Sequence, residues 1–228
     1  PLEQAPHLTR RKKGQKFLGK HGRHISMVIE RLIGNFKSFR KTYFDEQPDF
    51  FRDLVENGQH PEAMVIACSD SRINASIFGK AKPGELFIVR NVANLVPPYE
   101  PDGKRHGTSA AVEFAVRDLK VRHIVVLGHS HCGGIKFLCD GEQGDEKREF
   151  LEGWMSTVAS ALDDTLSGES RYRHVEREAV KVSLLNLMTF PWVAARVEAG
   201  DLELHGWLFD LVAGRLLTHT SKGWVQAD

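Results

Sequence analysis

The sequence predicts an α/β fold built on a mostly parallel sheet. Two apolar runs, 64–67 and 123–127, lack the polar alternation of a half-exposed strand, and such runs are typical of strands buried on both faces. A third strand pattern over 85–90 and a helical pattern over 108–119 lie between them. Strands that alternate with a helix in this way indicate a parallel sheet with right-handed crossovers.

Composition limits the class of protein. The chain has 228 residues, of which 41% are hydrophobic and 27% charged, and its net charge is +1. This is enough for one domain with a real core, and we expect a single α/β domain over 23–228. A basic arm over 1–22 precedes it, which we interpret as a solvated lead-in to the first helix. The near-zero net charge and the absence of a membrane-length apolar run predict neither a nucleic-acid nor a membrane partner.

Two helices are predicted before the first strand. Over 23–44 apolar residues recur at steps of three and four, which is the pattern of an amphipathic helix. A second helix over 49–56 ends at Asn57-Gly58, a suitable C-terminal cap. Pro61 then prevents helix continuation ahead of the strand.

The remaining elements follow from periodicity and turn residues. After the first strand we predict a short helix over 73–78, a turn at Pro83-Gly84, the strand over 85–90, and an irregular loop over 91–107. After the strand over 123–127 come a polar loop over 140–147 and helices over 149–166, 170–189 and 191–200. Alternating residues over 201–210 and 215–220 predict a strand and its hairpin partner, half exposed or lying against another subunit.

Potential metal ligands follow two of the predicted strands. Cys68 comes directly after the run over 64–67, and His129 and Cys132 come after the run over 123–127. Ligands bind at the carboxyl ends of strands in open α/β sheets, so we expect these three side chains to meet. Catalytic zinc sites use three protein ligands of this kind and keep the fourth position open. We therefore predict Cys68, His129 and Cys132 as metal ligands.

An acidic and a basic residue accompany the cysteine motif. Arg72 can hold the Asp70 carboxylate through a bidentate pair, which keeps Asp70 ionised and able to accept a hydrogen bond from a zinc-bound hydroxide. Two alternatives stay open: Asp70 as the fourth ligand, or a plain salt bridge that caps the following helix. His131 is not expected to be a ligand, because successive side chains of such a turn point in different directions.

The cysteine count bears on the compartment. The chain has three cysteines, an odd number and too few for a disulfide framework. We interpret Cys139 as a buried spectator. A reducing cytoplasm is the expected location, with docking onto a larger assembly left open.

The motifs resemble those of the β-class carbonic anhydrases. The resemblance is dense over about 59–138, has a weaker echo at His205-Gly206-Trp207, and rests on Cys68-x-Asp70-x-Arg72, Gly128-His129-Ser130-x-Cys132-Gly133-Gly134 and the segment from Val89 to Tyr99. It implies a parallel sheet of four strands with a fifth at the edge, flanked by helices. It also implies a homodimer or a dimer of dimers, in which the N-terminal helices pack across the partner and the edge strand contributes to association.

The resemblance implies the activity as well. It predicts a zinc lyase, a carbonate dehydratase with one Zn²⁺ per subunit, that converts carbon dioxide reversibly to bicarbonate and a proton. The nucleophile would be zinc-bound hydroxide, formed because zinc lowers the pKa of its bound water, an effect for which carbonic anhydrase is itself the standard example. Asp70 and Arg72 would be the catalytic dyad of this family.

Three further residues are assigned to the substrate pocket by the same resemblance. Gln59 stands where plant-type members carry a substrate-binding glutamine, and it favours the subclass with an open, water-bound zinc. Phe87 matches an aromatic residue that lines the pocket. Phe114 replaces the tyrosine common in plant-type members, so a hydroxyl is missing from the pocket rim. His106 is a candidate proton shuttle on the ordinary pKa of histidine alone.

Other functions fit parts of the pattern. A carbon disulfide or carbonyl sulfide hydrolase would use the same fold and the same zinc chemistry. A non-catalytic zinc scaffold or bicarbonate sensor would keep the fold, although retention of both Asp70 and Arg72 argues against it. A nucleotide-binding domain is set aside, because the glycine-rich turn within 127–135 lacks the G-x-G-x-x-G spacing.

Overall fold

The structure is a computed structural model that describes residues 22–141 and 147–227, with side chains described from Met27 onward. The chain divides between Asn57 and Gly58 into two compact units. This boundary lies inside the region 23–228 that the sequence predicts to be a single domain. None of the described side chains before the boundary is buried. Apart from Gly22, the predicted basic arm over 1–22 lies outside the described residues, as does most of the predicted loop over 140–147.

The first unit is helical. It contains α1 (Gly22–Arg40), a π-helical turn (Lys41–Asp45) and α2 (Phe50–Glu56), close to the predicted bounds. The apolar side chains of α1 recur as predicted, yet they are exposed along the described part of the helix: Met27, Val28, Ile29, Leu32, Ile33, Phe36 and Phe39. Within a single chain this unit has no buried core among its described residues.

The second unit is built on a six-stranded sheet in the order β2-β1-β3-β4-β5-β6. The strands are β1 (Ala63–Cys68), β2 (Leu86–Asn91), β3 (His123–His129), β4 (Glu203–Asp210), β5 (Arg215–Thr220) and β6 (Gly223–Gln226). The first four pair in parallel, and β5 and β6 add on antiparallel, which confirms the predicted mostly parallel sheet. The prediction did not include β6, whose four residues are too few to show a strand period.

Helices flank the sheet. They are α3 (Ala75–Phe78), α4 (Gly107–Glu113) with a π-helical turn (Phe114–Asp118), α5 (Gly133–Asp140), α6 (Leu151–Met155), α7 (Gly168–Leu187) and α8 (Pro191–Glu198). The predicted helix over 149–166 is wrong in its second half. A 3₁₀ segment (Ser156–Ala161) with Val158 at φ −122° replaces it, and Asp163 then accepts hydrogen bonds from Thr165 in a turn. None of the described helices combines the length and apolarity needed to cross a membrane.

The core explains why the strand patterns lack polar alternation. On one face of the sheet Val65 and Val125 belong to a cluster that includes Ile135 of α5. On the opposite face Ile66 and Val126 belong to a second cluster that includes residues of α8 and the segment after α4. β1 and β3 are thus buried on both sides, as a central pair in a parallel sheet must be.

A glycine near the end of β3 tests this packing. A Cβ at Gly128 would lie 2.7 Å from Cγ2 of Val180, a fully buried and β-branched side chain with no room to rotate away. We expect Gly128→Ala to lower the free energy of unfolding by about 1–3 kcal/mol through overpacking. Urea unfolding would measure it. Gly153→Ala is the matched control, because its Cβ meets no atom within 4 Å, and an equal loss there would contradict this explanation.

Candidate metal centre

Parallel pairing of β1 with β3 places the predicted ligands together. Ala67 pairs with Leu127, so Cys68 at the end of β1 and His129 at the end of β3 emerge at the same edge of the sheet. Cys132 follows in the turn that leads into α5. The ligand atoms of the three residues all lie within 4.8 Å of one another. Each residue is almost completely buried, with exposed fractions of 5%, 1% and 3% for Cys68, His129 and Cys132.

The cluster has the dimensions of a zinc site. The two sulfur atoms are 4.0 Å apart, and two thiolates bound to one tetrahedral zinc at about 2.3 Å would be about 3.8 Å apart. Nδ1 of His129 lies 2.9 Å from the carbonyl oxygen of Ser130, to which it can donate, leaving Nε2 as the ligand atom. Nε2 is buried and has no hydrogen-bond partner among the described residues. A metal ion would satisfy this nitrogen, so the residues fit zinc.

Backbone donors from the segments after β1 and β2 favour Cys68 as a thiolate. Its sulfur lies 3.4 Å from the backbone nitrogens of Asp70 and Ala93, both of which donate to it. A hydrogen bond from Cys132 has the largest effect and, with the neighbouring His129 ring and these backbone donors, holds the pKa of Cys68 well below its ordinary value although burial opposes ionisation. The pKa of Cys132 is raised in turn, because its proton occupies that bond and because the thiol is buried.

Asp70 and Arg72 form the expected bidentate pair. Nε of Arg72 lies 2.9 Å from Oδ1 of Asp70, and Nη2 lies 2.6 Å from Oδ2. The hydrogen bonds from Arg72 hold the pKa of Asp70 well below its usual range. The pair is not the cap of the following helix, because the side chain of Asn74 caps α3. Oδ2 of Asp70 instead lies 4.0 Å from Nε2 of His129, beside the metal position.

Arg90 fixes the shape of the cysteine loop. Its guanidinium donates to the carbonyl oxygens of Cys68, Asp70 and Ile73 at 2.7–2.9 Å. The sequence motifs had not singled out this role. The only signal was an arginine at the end of a predicted strand, whose side chain could reach many partners.

Glu176 on α7 supports the other half of the cluster. Its buried carboxylate accepts the backbone N–H of Cys132 at 3.1 Å and pairs with Arg173 at 2.7 Å. Burial raises the pKa of Glu176 to about 7, against the opposing effect of Arg173. Sequence reasoning missed this residue, because nothing in its local spacing relates α7 to a turn 44 positions earlier.

The residues predicted for the substrate pocket do not join this cluster within one chain. Phe87 and Phe114 lie together, with ring centroids 5.9 Å apart. Phe87, however, is level with Met64 in the sheet, four residues before Cys68, which is about 13 Å along the strand. Gln59 is exposed and precedes β1. All three therefore lie toward the amino ends of the strands.

Three other residues singled out in the sequence lie outside the ligand cluster. His106 approaches Asp102, with Nε2 2.6 Å from a carboxylate oxygen, and its shuttle role stays a prediction. His131 is exposed and lies outside the ligand cluster, as expected, while its carbonyl accepts a hydrogen bond from Arg72. Cys139 is half-buried, so it is less enclosed than the sequence suggested.

The known proteins that this chain resembles belong to one family. The family model described as carbonic anhydrase matches residues 63–216. A carbonic anhydrase of Synechocystis sp. is 36% identical over 197 residues, covering 84% of this chain and 71% of that protein. Beta carbonic anhydrase 3 of Arabidopsis thaliana is 38% identical over 195 residues, covering 82% of this chain and 75% of that protein.

Solved structures agree with the sequence relatives. The structure of the β-carbonic anhydrase CcaA superposes with a TM-score of 0.81 at 33% identity, covering 89% of this chain and 93% of that one. One of two tetrameric β-carbonic anhydrases from Sordaria macrospora superposes with a TM-score of 0.72 at 29% identity, covering 84% and 96%.

The contact between Glu176 and Cys132 predicts a measurable effect on metal affinity. Glu176→Ala removes the acceptor for the Cys132 N–H, and we expect zinc affinity to fall about 10–100-fold, as is usual when partners of metal ligands are lost. Glu176→Gln keeps an acceptor oxygen and should lose less. Competition with a chelator would measure both. Equal affinity in wild type and Glu176→Ala would contradict a supporting role.

Proposed function

We infer, because the chain belongs to the β-class carbonic anhydrases, that the buried cluster of Cys68, His129 and Cys132 holds its catalytic zinc. The protein is a zinc-dependent enzyme that hydrates carbon dioxide reversibly to bicarbonate and a proton. The observation that supports this ligand set most directly is Nε2 of His129, a buried nitrogen without a hydrogen-bond partner among the described residues, in a cluster with two cysteine sulfurs.

Asp70 and Arg72 would complete the catalytic machinery. When bound, zinc supplies a hydroxide nucleophile near neutral pH by lowering the pKa of water. Asp70 is ionised, and both of its oxygens accept hydrogen bonds from Arg72. The fixed carboxylate can therefore accept a further hydrogen bond from the nucleophile and orient it. The same hydrogen bonds disfavour Asp70 as a fourth ligand, because a carboxylate oxygen that bound the metal would lose its hydrogen bond from Arg72.

Two variants separate metal binding from orientation. Cys68→Ala should lose both zinc and carbon dioxide hydration. Asp70→Asn should keep its zinc while hydration falls by about 10–100-fold, because an amide presents an N–H where the carboxylate accepted a hydrogen bond. The loss should be similar at every pH between about 6 and 9, since Asp70 is already ionised throughout that range.

Stopped-flow hydration and zinc analysis of the same samples would test this. Asp164→Asn is the control, because Asp164 also pairs with an arginine, Arg171, but lies outside the cluster. Full zinc occupancy and undiminished hydration in Asp70→Asn would rule out the orienting role. Hydration that persists in zinc-free Cys68→Ala would rule out the ligand set.

We also propose that the working enzyme is at least a homodimer whose substrate pocket is shared between subunits. Gln59 is exposed and Phe114 is 45% exposed, and both lie toward the amino ends of the strands, far from the metal ligands of their own chain. In a two-fold dimer every contact occurs twice. The amino ends of the strands in one subunit can therefore cover the metal ligands of the other. The exposed apolar face of α1 supports association as well, because a monomer seldom exposes such a surface.

Complementation between inactive chains would test the shared pocket. Cys68→Ala and Gln59→Ala would be co-expressed with different tags and the mixed dimer purified through both. One site of this dimer would combine intact ligands from one chain with Gln59 from the other, so we expect about half of wild-type activity. A mixed dimer of Cys68→Ala and Cys132→Ser is the control and should be inactive. If the Gln59→Ala homodimer is inactive, no recovery in the first mixture would show that Gln59 serves its own chain, and an active Gln59→Ala homodimer would show that it serves neither.

A reducing compartment such as the cytoplasm is the proposed location. Cys68, Cys132 and Cys139 are all free thiols, with no disulfide among the described residues. Two of them serve the proposed metal site only when reduced, which a reducing compartment maintains.

A further inference from the structure

A second group of potential metal ligands lies at the opposite end of the sheet. It consists of His123, the first residue of β3, together with Glu203 and His205 of β4. His123 pairs with Glu203 in the parallel register. Because side chains alternate along a strand, Glu203 and His205 share one face, and the register places His123 on that face too. The sheet thus brings two imidazoles and a carboxylate together.

The distances among these groups suit one ion. Nδ1 of His123 and Nε2 of His205 are 3.2 Å apart, and Oε2 of Glu203 lies 3.7 Å from the first and 3.6 Å from the second. The circle through three points with these separations has a radius of about 2.0 Å, which matches the metal–nitrogen and metal–oxygen distances of about 2.0–2.2 Å in zinc sites. A common ion can therefore lie at ligand distance from all three atoms once the proton between the two histidines is released.

The chemistry of the group also favours a cation. Burial, and then the neighbouring His123, lower the pKa of His205 despite the opposing charge of Glu203, so this ring is neutral near neutral pH and free to act as a ligand. Imidazole and carboxylate together suit zinc and the other divalent first-row metals. The three side chains are partly exposed, which leaves an open side for water ligands and for exchange.

We propose that His123, Glu203 and His205 form a second metal site, for a divalent transition-metal ion such as zinc. It is separate from the catalytic centre, because His123 and His129 stand at the two ends of β3, six residues or about 20 Å apart. The ion bridges β3 and β4 at their amino ends. Since it binds only the folded chain, it raises thermal stability without entering the hydration reaction.

The alternative is a hydrogen bond between the two histidines with no affinity for metal. Equilibrium dialysis of the zinc-loaded enzyme against Co²⁺ separates the two cases. We expect wild type to bind one additional equivalent per chain while its catalytic zinc stays in place. The new cobalt should lack the thiolate-to-metal charge-transfer absorption that cobalt at Cys68 and Cys132 would show. Failure to bind a further equivalent, or cobalt with that absorption, would overturn the proposal.

Variants locate the ion. The double variant His123→Gln, His205→Gln should retain its catalytic zinc, which reports correct folding, and lose the additional cobalt. His174→Gln on α7 is the matched control, because this histidine lies outside the group, and it should bind as wild type does. Additional cobalt that persists in the double variant would place the ion elsewhere and refute the assignment.

A single, milder substitution tests the site with less risk of disturbing the fold. Glu203→Gln removes only a charge from a partly exposed side chain, and we expect cobalt affinity to fall about tenfold or more. Saturating cobalt should raise the unfolding midpoint of wild type by several degrees and that of the double variant not at all. Equal affinity in Glu203→Gln, or equal shifts in wild type and the double variant, would count against the site.

Discussion

The in-register parallel pairing of β1 with β3 is the constraint on which the metal centre depends. Cys68 and His129 come from positions 61 residues apart, and they meet because Ala67 lies beside Leu127. A slip of one residue would turn every side chain of a strand to the opposite face and separate the ligands. Burial of both strands on both faces makes such a slip costly, since each face has its own apolar cluster to lose. The packing of the sheet thereby fixes the relative positions of the metal ligands.

The parts of the structure that local sequence determines were predictable. Unbroken apolar runs marked β1 and β3, and the cysteine and histidine motifs directly after them located the cluster, because a strand end is both a local signal and a fixed place in the fold. The bidentate pair of Asp70 with Arg72 was predictable for the same reason, since its members are two residues apart.

The parts of the structure that depend on packing between distant segments were not predictable from the sequence. Glu176 approaches Cys132 only because α7 packs against β3 and β4, and periodicity on α7 marks its buried face without saying which residues that face contacts. The 3₁₀ segment after α6 was not predicted either: Val158 within it is fully buried at a non-helical φ of −122°, which helix propensity does not anticipate. The assignment of Gln59, Phe87 and Phe114 to a substrate pocket stays a prediction. It came from resemblance, and the register places Phe87 about 13 Å along the strand from Cys68, so Phe87 does not join the metal ligands of its own chain.

Charge balance links the supporting residues of the metal centre. Two thiolates cancel the double positive charge of a bound zinc, so the carboxylate of Asp70 beside them would leave a buried site with a net negative charge. Arg72 offsets that charge, and Arg90 adds a second guanidinium close to the same loop. Glu176 brings a further carboxylate to Cys132, and Arg173 offsets this one in turn. Each acidic group near the ligands therefore has its own arginine, which lets the site hold carboxylates as hydrogen-bond acceptors in a setting where unpaired charges would be expensive.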